Sequence, residues 1–283
     1  MITEKIIERL EQGEIPWKKP WAPLASTGAP RNLITDKPYR GINIFILASE
    51  KFSSPYWLTY RQAMEKGGTI RKGAKGTVVV YWNWIPINDK DTGEEKEIPF
   101  LRHYTVFNLE QTDGIEAPPS PTAIDKHFST IEEAENIIDS MPQRPVIRHE
   151  GNQAGYNPGM DYIVMPPEKA FFRREDYYCT LFHEISHSTG HISRLGRKGV
   201  MEKTHFGSHE YSKEELVAEM AAAFLCAEAG IEQNTIDNSA AYIQSWLKQL
   251  KNDKSLVIMA AGQAQKAADF ILNRNGAETQ DAL

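Results

Sequence analysis

The chain has 283 residues, 41% hydrophobic and 25% charged, with 32 Lys+Arg against 38 Asp+Glu and a formal net charge of −6. This is the balance of a water-soluble globular protein of about two ordinary domains. No run of about 18 apolar residues exists, which excludes a membrane-spanning helix.

The opening Met1-Ile2-Thr3-Glu4-Lys5 is charged and has no apolar stretch behind it, so no secretory leader is expected. Residues 3–12 read as a short helix stopped by Gly13, with Ile6, Ile7 and Leu10 on one side. Ile15-Pro16-Trp17-Lys18-Lys19-Pro20-Trp21 follows, held extended by its prolines, with two Trp flanking two Lys. Arg31, Lys37, Tyr39-Arg40-Gly41-Ile42-Asn43 and an apolar run to Leu47 lead to Tyr56-Trp57-Leu58-Thr59-Tyr60-Arg61. Gly67-Gly68 and Arg71-Lys72-Gly73-Ala74-Lys75-Gly76 are basic glycine turns. Thr77–Trp84 is a β-rich run, Asp89–Gly93 an exposed hairpin tip and Arg102–Asn108 the returning strand.

Charge in this half is uneven. Residues 16–80 hold eleven Lys/Arg and three acids, a net of +8, and five of the six Trp fall between 17 and 84. Cations interleaved with aromatics suit single-stranded nucleic acid, where Lys and Arg follow phosphates and aromatic faces stack unpaired bases. The candidate contacts are Trp17, Lys18, Lys19, Trp21, Arg40, Trp57, Tyr60, Arg61, Arg71, Lys72 and Lys75. The competing account is ordinary: the aromatics build a core, and Trp17 to Trp21 is a clasp on the domain surface. No Walker A loop is present.

Ala117-Pro118-Pro119-Ser120-Pro121-Thr122 reads as a semi-rigid spacer. Residues 1–115 carry a net charge of +2 and the remainder −8, which argues for two separate tasks. The expected division is residues 1–116, a linker at 117–123 and a second domain at 124–283.

Beyond the spacer, a helix starts at Thr130 and runs to about Ser140. Short strands follow at 146–148 and 161–165, and the second of these is the expected edge strand for an extended peptide. A helix over about 174–189 contains Phe182-His183-Glu184-Ile185-Ser186-His187, an H-E-x-x-H motif. On a helical wheel His187 lies about 40° and Glu184 about 100° from His183, while Leu181, Phe182 and Ile185 point to the opposite side. Two imidazoles at i and i+4 can share one Zn²⁺, and Glu184 then serves as the general base toward water. The alternative is a helix with two solvated histidines.

A catalytic zinc site needs a third protein ligand. A metzincin would place His where Ser193 stands, so that class does not fit. Glu215 and Glu219 lie about 40° apart on a following amphipathic helix. One serves as ligand while the other holds a ligand histidine by its far ring nitrogen. Ser212 with Glu215 is also a capping-box signature, which would explain Glu215 without a metal. Glu214 reads as a first-turn dipole partner. Further helices are marked by Trp246 and Leu250, and by Val257 to Ile271. Cys179 and Cys226 read as buried thiols in a reducing compartment, which makes the cytoplasm the expected location.

Pro16–Trp21, Tyr39–Asn43, Trp57–Tyr60, Arg71-Lys72-Gly73 and Val106-Phe107-Asn108 resemble the N-terminal domain of ArdC-type antirestriction proteins. Phe182–His191 with Glu214–Glu219 resembles their zincin-like C-terminal domain, related to the ImmA/IrrE and Spartan metalloproteases. The resemblance implies an α+β protein of two domains: a small mixed α/β N-terminal domain and a helix-rich, gluzincin-like metallopeptidase domain. It implies a plasmid- or mobile-element-encoded protein that binds single-stranded DNA during conjugative transfer and protects it from restriction. The E-x-x-A-N pattern of the ImmA/IrrE group maps onto Glu215–Glu219 with Glu219 in place of Asn, which favours Glu215 as ligand and leaves a swap of roles open.

The expected centre is then His183, His187 and Glu215 around Zn²⁺, or another divalent metal such as Mn²⁺, with Glu184 as base. Tyr211, His191 and His209 are the candidate oxyanion donors. Expected partners are single-stranded DNA and a DNA-associated protein substrate. A non-enzymatic DNA-coating protein with a vestigial metal site is the rival account, and a nuclease ranks below it because one metal is not the paired clamp of phosphodiester chemistry.

Overall fold

The computed structural model describes residues 2–17, 29–50, 52–88, 95–118, 130–201, 209–231 and 240–274. The chain divides into two compact units, one of Met1–Ser26 with Ala123–Gly276 and the other built on Thr27–Thr122.

The unit on Thr27–Thr122 is a four-stranded sheet in the order β1-β2-β5-β4, with β1 at Arg31–Asn32, β2 at Tyr56–Thr59, β4 at Thr77–Asn88 and β5 at Glu95–Asn108. β4 and β5 form one long antiparallel hairpin, in register from Thr77↔Val106 to Asn88↔Glu95. Both strands run further than the β-branched segments predict, because each supplies the other's backbone partners. The hairpin tip at 89–94 lies outside the described residues. Strand β3 (Thr69–Ile70) pairs with β6 (Thr112–Asp113) as a small second ribbon.

Helix α2 (Ile42–Ala48) packs on β4. Gly41 precedes it at φ 55°, a conformation that favours glycine. The buried Asn43 amide then donates to the Val80 carbonyl (2.7 Å) and accepts from the Val80 N–H (2.8 Å). Helix α3 (Tyr60–Glu65) opens with a reciprocal capping box between Thr59 and Gln62. Asn108 caps the turn after β5 and donates to the Ser54 carbonyl. The core comprises Tyr39, Leu47, Trp57, Val79 and Val106, with Phe52 and Tyr104 against it. Much of the Tyr39–Asn43, Trp57–Tyr60 and Val106–Asn108 pattern is therefore explained by folding: its buried members build core, caps and turns. Gly76 has a packing reason as well, since a Cβ there would stand 2.3 Å from the Thr105 methyl.

The other unit holds α1 (Ile2–Glu11), α4 (Thr130–Ser140), a sheet of β7 (Val146–His149), β8 (Gly155–Asn157) and β9 (Tyr162–Met165), then α5 (Arg174–Ser188), α6 (Lys198–Met201), α7 (His209–Ala229), α8 (Ala240–Asn252) and α9 (Leu256–Ile271). Alanines 260, 261, 264, 267 and 268 of α9 are buried with Ala218 and Ala221–Ala223 of α7, so small side chains let these helices approach closely. Cys179 of α5 and Cys226 of α7 are free, buried thiols with sulfurs 3.2 Å apart.

By contacts, Met1–Ser26 groups with Ala123–Gly276. The reason is packing: α1 lies on α8, Trp17 meets Trp246 edge-on at 5.4 Å, and Thr3 donates to the Lys254 carbonyl. The strand at 161–165 is not an edge. Its β9 sits in the centre of the order β7-β9-β8, parallel to β7 and antiparallel to β8, and β8 is the edge strand that packs on α5.

Candidate metal centre

Helix α5 buries Leu181, Phe182 and Ile185 and turns His183 and His187 toward α7. The two Nε2 atoms lie 3.1 Å apart. Glu215 brings Oε2 to 3.6 Å from Nε2 of His183 and Oε1 to 3.6 Å from Nε2 of His187. Ligands about 2.0–2.1 Å from a tetrahedral ion stand about 3.3 Å from one another. The 3.1 and 3.6 Å spacings are close to that value. Among the described residues, His183, His187 and Glu215 are the cluster whose donor atoms converge in this way.

The capping account of Glu215 fails, because α7 begins at His209 and Ser212 is buried inside the helix. That extra turn also overturns the role expected for Glu214. It sits in the second turn, buried, with Oε1 3.2 Å from Nδ1 of His187. Arg197 donates to both of its oxygens, at 2.9 and 2.6 Å. Glu219 takes the equivalent place for the other ring, with Oε1 3.7 Å from Nδ1 of His183. Each imidazole thus points Nε2 inward and Nδ1 toward its own carboxylate. Glu219 is on the outer side of His183 and Glu215 on the inner side.

The electrostatics favour a cation in this pocket. Burial, and then the neighbouring His187, hold His183 well below the ordinary histidine value, so its nitrogens stay neutral. Burial also opposes a charge on His187, but the Glu214 hydrogen bond and the charges of Glu215, Glu214 and Glu184 outweigh it and raise its pKa to about 9. Burial would push the Glu214 carboxyl up; hydrogen bonds from Arg197 and His187 bring it below its ordinary value instead. Glu184 is pushed up, chiefly by burial, against the nearby His187 and, more weakly, a hydrogen bond from the Tyr156 backbone N–H on β8.

The wider frame contains residues that the motif did not indicate. Arg194, with its side chain only 1% exposed, donates to the carbonyls of Ser188 (2.7 Å) and Gln143 (3.0 Å), to the Tyr156 hydroxyl (3.1 Å) and to both Asp161 oxygens. It fastens the end of α5 to the β8–β9 turn. Asp161 has φ 50°, and nothing in a linear pattern announces that such a turn faces a buried arginine. Of the candidate oxyanion donors, His191 is half-buried with Nδ1 2.8 Å from the Ser193 hydroxyl. Tyr211 and His209 belong to the first turn of α7, one turn before Glu214 and Glu215.

The nucleic-acid candidates separate. Trp17 is fully buried against Trp246, and Trp57 is 2% exposed in the core, edge-on to Phe52. Neither ring has a face free to stack a base, which corrects the expectation for both. Arg40 is half-buried. Tyr60, Arg61, Arg71, Lys72 and Lys75 are exposed, with Arg61 paired to Glu65 and Arg71 to Asp113. Lys18, Lys19 and Trp21 lie outside the described residues. No helix among the described residues is long and apolar enough to cross a membrane.

Comparison with known proteins adds the lineage. Residues 132–263 match the zincin-like metallopeptidase family, and residues 1–107 match the N-terminal domain of anti-restriction factor ArdC. The crystal structure of antirestriction ArdC protein from the R388 plasmid in its Mn(II)-bound form is 40% identical, covers 99% of this chain and 98% of its own, and superposes with a TM-score of 0.74. Its metal-free form is 41% identical over 95% of this chain and 94% of its own, at 0.72. A DNA primase TraC of Escherichia coli is 38% identical across 96% of this chain, but this chain spans only 26% of that protein's length. An uncharacterized protein, y4eC, of Sinorhizobium fredii is 34% identical over 95% of this chain and 90% of its own. The α+β architecture, the divalent-metal geometry and these matches together place the chain in the ArdC antirestriction protein family, with a zincin-like metallopeptidase domain.

Proposed function

We propose that the chain is a metal-dependent peptidase that acts on proteins associated with single-stranded DNA, in the service of antirestriction. The observation that carries this is the convergence of His183, His187 and Glu215, with Nε2 atoms 3.1 Å apart and one Glu215 oxygen 3.6 Å from each, beside a buried Glu184. These three residues hold the ion, expected to be zinc; the relative with Mn(II) bound supports a divalent metal. The ion supplies Lewis acidity when bound. Glu184 takes the proton of the attacking water and passes it to the departing amine, its carboxyl steadied by the Tyr156 N–H. The edge of β8 is where an extended peptide adds as a strand. Tyr211, His191 and His209 are the donors proposed for the developing oxyanion.

For the strand-binding role, the supporting residues are Tyr60, Arg61, Arg71, Lys72 and Lys75. Exposed ion pairs such as Arg61–Glu65 are screened by water and contribute little, so phosphate can replace the carboxylate readily. A DNA primase that contains a segment similar to nearly the whole chain supports DNA as partner.

The test pairs metal analysis with cleavage of proteins bound to single-stranded DNA. Glu184→Gln should keep its metal and its DNA affinity while cleavage falls about 10²–10⁴-fold. Undiminished cleavage by the variant removes Glu184 from the mechanism. Full antirestriction by a cleavage-dead variant leaves a protein that shields DNA by coating it.

A further inference from the structure

The Glu214–Arg197 pair has a job beyond joining α5 to α7. We propose that Glu214, locked by Arg197, is the positioning residue that fixes the tautomer and ring angle of His187 for metal binding, an inference that rests on the metal-centre reading above.

Which nitrogen of an imidazole ligates is set by the hydrogen bond that the other one makes. His187 has that commitment in the 3.2 Å approach of its Nδ1 to Glu214 Oε1, closer than the 3.7 Å between His183 and Glu219. In this arrangement Nδ1 keeps the proton and donates it, which leaves the Nε2 lone pair facing the ion. Glu214 is itself immobilised. Arg197 grips Oε2 and Oε1 at 2.9 and 2.6 Å, and the same guanidinium donates to the Ser186 carbonyl (2.8 Å) and the Thr189 hydroxyl (2.6 Å). Ser186 precedes His187 in the chain. The circuit therefore closes from ring to carboxylate to guanidinium and back to the ring's own helix.

The surroundings are shaped for this pair. A Cβ on Gly199 would stand 3.2 Å from the Glu214 Cβ. A Cβ on Gly190 would collide with Val200 at 2.4 Å and stand 3.2 Å from the Arg197 Cζ. Both glycines let the loop after α5 close over the carboxylate and the guanidinium. Burying an ion pair gains little stability against an apolar pair of the same shape. The shared Oε1, which accepts from Arg197 and His187 together, gives the burial a purpose at the ring.

The experiment is calorimetric titration of the apo full-length chain with Mn²⁺ and with Zn²⁺, for the native protein, Glu214→Gln and Arg197→Lys. Glu214→Gln should lose about 10–100-fold in affinity, and Arg197→Lys less. Native affinity in a folded Glu214→Gln overturns the inference while leaving the metal centre intact; failure of the native chain to take up either ion overturns both. A second arm uses ¹⁵N-histidine spectra of the native Zn²⁺-loaded protein and needs no variant. His187 should show a protonated, slowly exchanging Nδ1 and a metal-shifted Nε2. An unprotonated Nδ1 overturns the inference even if neither variant folds.

Discussion

Helix α5 and the stretch from Trp17 to Lys75 both looked like sites, and the structure treats them differently. On α5 the polar residues are the signal: two imidazoles and a carboxylate on one side of a helix with Leu181, Phe182 and Ile185 on the other. A buried polar group needs a partner, so α7 had to supply one, and Glu214, Glu215 and Glu219 are there. From Trp17 to Lys75 much of the signal was aromatic, and an aromatic ring is as much at home in a core as on a base. Trp17 and Trp57 went inward; Tyr60, Arg61, Arg71, Lys72 and Lys75 stayed out. Polar constellations carry their purpose in their chemistry, whereas aromatic ones depend on which way the backbone turns.

The sharpest test of this contrast is Glu184→Gln, with the largest expected effect. It alters one atom of the centre, and it should remove about 10²–10⁴-fold of peptide hydrolysis with metal content unchanged by elemental analysis. Next is Trp17→Ala. As a core residue it should cost about 3–5 kcal/mol, read as a lowered denaturant midpoint, with strand affinity unchanged while the chain is folded. A native midpoint with weakened DNA binding would return Trp17 to the interface and break the comparison. Tyr60→Ala should do the reverse. Its ring is 59% exposed, so stability should stay within about 0.5 kcal/mol, while single-strand affinity falls by about 1–3 kcal/mol for one lost stack. Equal strand affinity in a filter or anisotropy titration would take Tyr60 out of the interface.

The smallest expected effect concerns the frame. The hydrogen bonds from Arg194 hold the Asp161 carboxyl below its ordinary value, against the opposing effect of its burial. A depressed folded pKa contributes stability that is fully present above the unfolded value near 3.9 and is lost as pH falls through the folded one. Asp161→Asn should therefore lower the melting temperature at neutral pH, and the gap from the native protein should narrow below about pH 4. A gap that does not change with pH would mean that the Arg194 contacts act through shape alone.

Several elements were legible from residue order. Helix α5 spans Arg174–Ser188 where the spacing predicts about 174–189, and α4, α8 and α9 fall where their apolar periodicity puts them. Among the site residues, His183, His187 and Glu215 bring donor atoms to one point, with Glu219 on the far side of His183. Arg194 and Arg197 were not legible, because a surface-type residue in a glycine-containing loop has no periodicity to betray its burial. Ser212 imitates a helix cap, yet α7 begins at His209, and the extra turn puts Glu214 beside the ring of His187.

Residue order alone determined the chemistry on offer: a helix with imidazoles at i and i+4, a second helix rich in carboxylates and a basic, aromatic amino-terminal half. The folded chain decided the assignments that depend on contacts between distant residues. Glu215 faces the Nε2 atoms and Glu219 the far side of His183. Glu214 belongs to His187, β8 and not β9 is the edge strand, and Trp17 is core. Periodicity is a local property that each helix carries in its own spacing. Which of two neighbouring carboxylates meets a ring is set by the crossing of α5 and α7, and that crossing is set by the side chains buried between them, Cys179 and Cys226 among them.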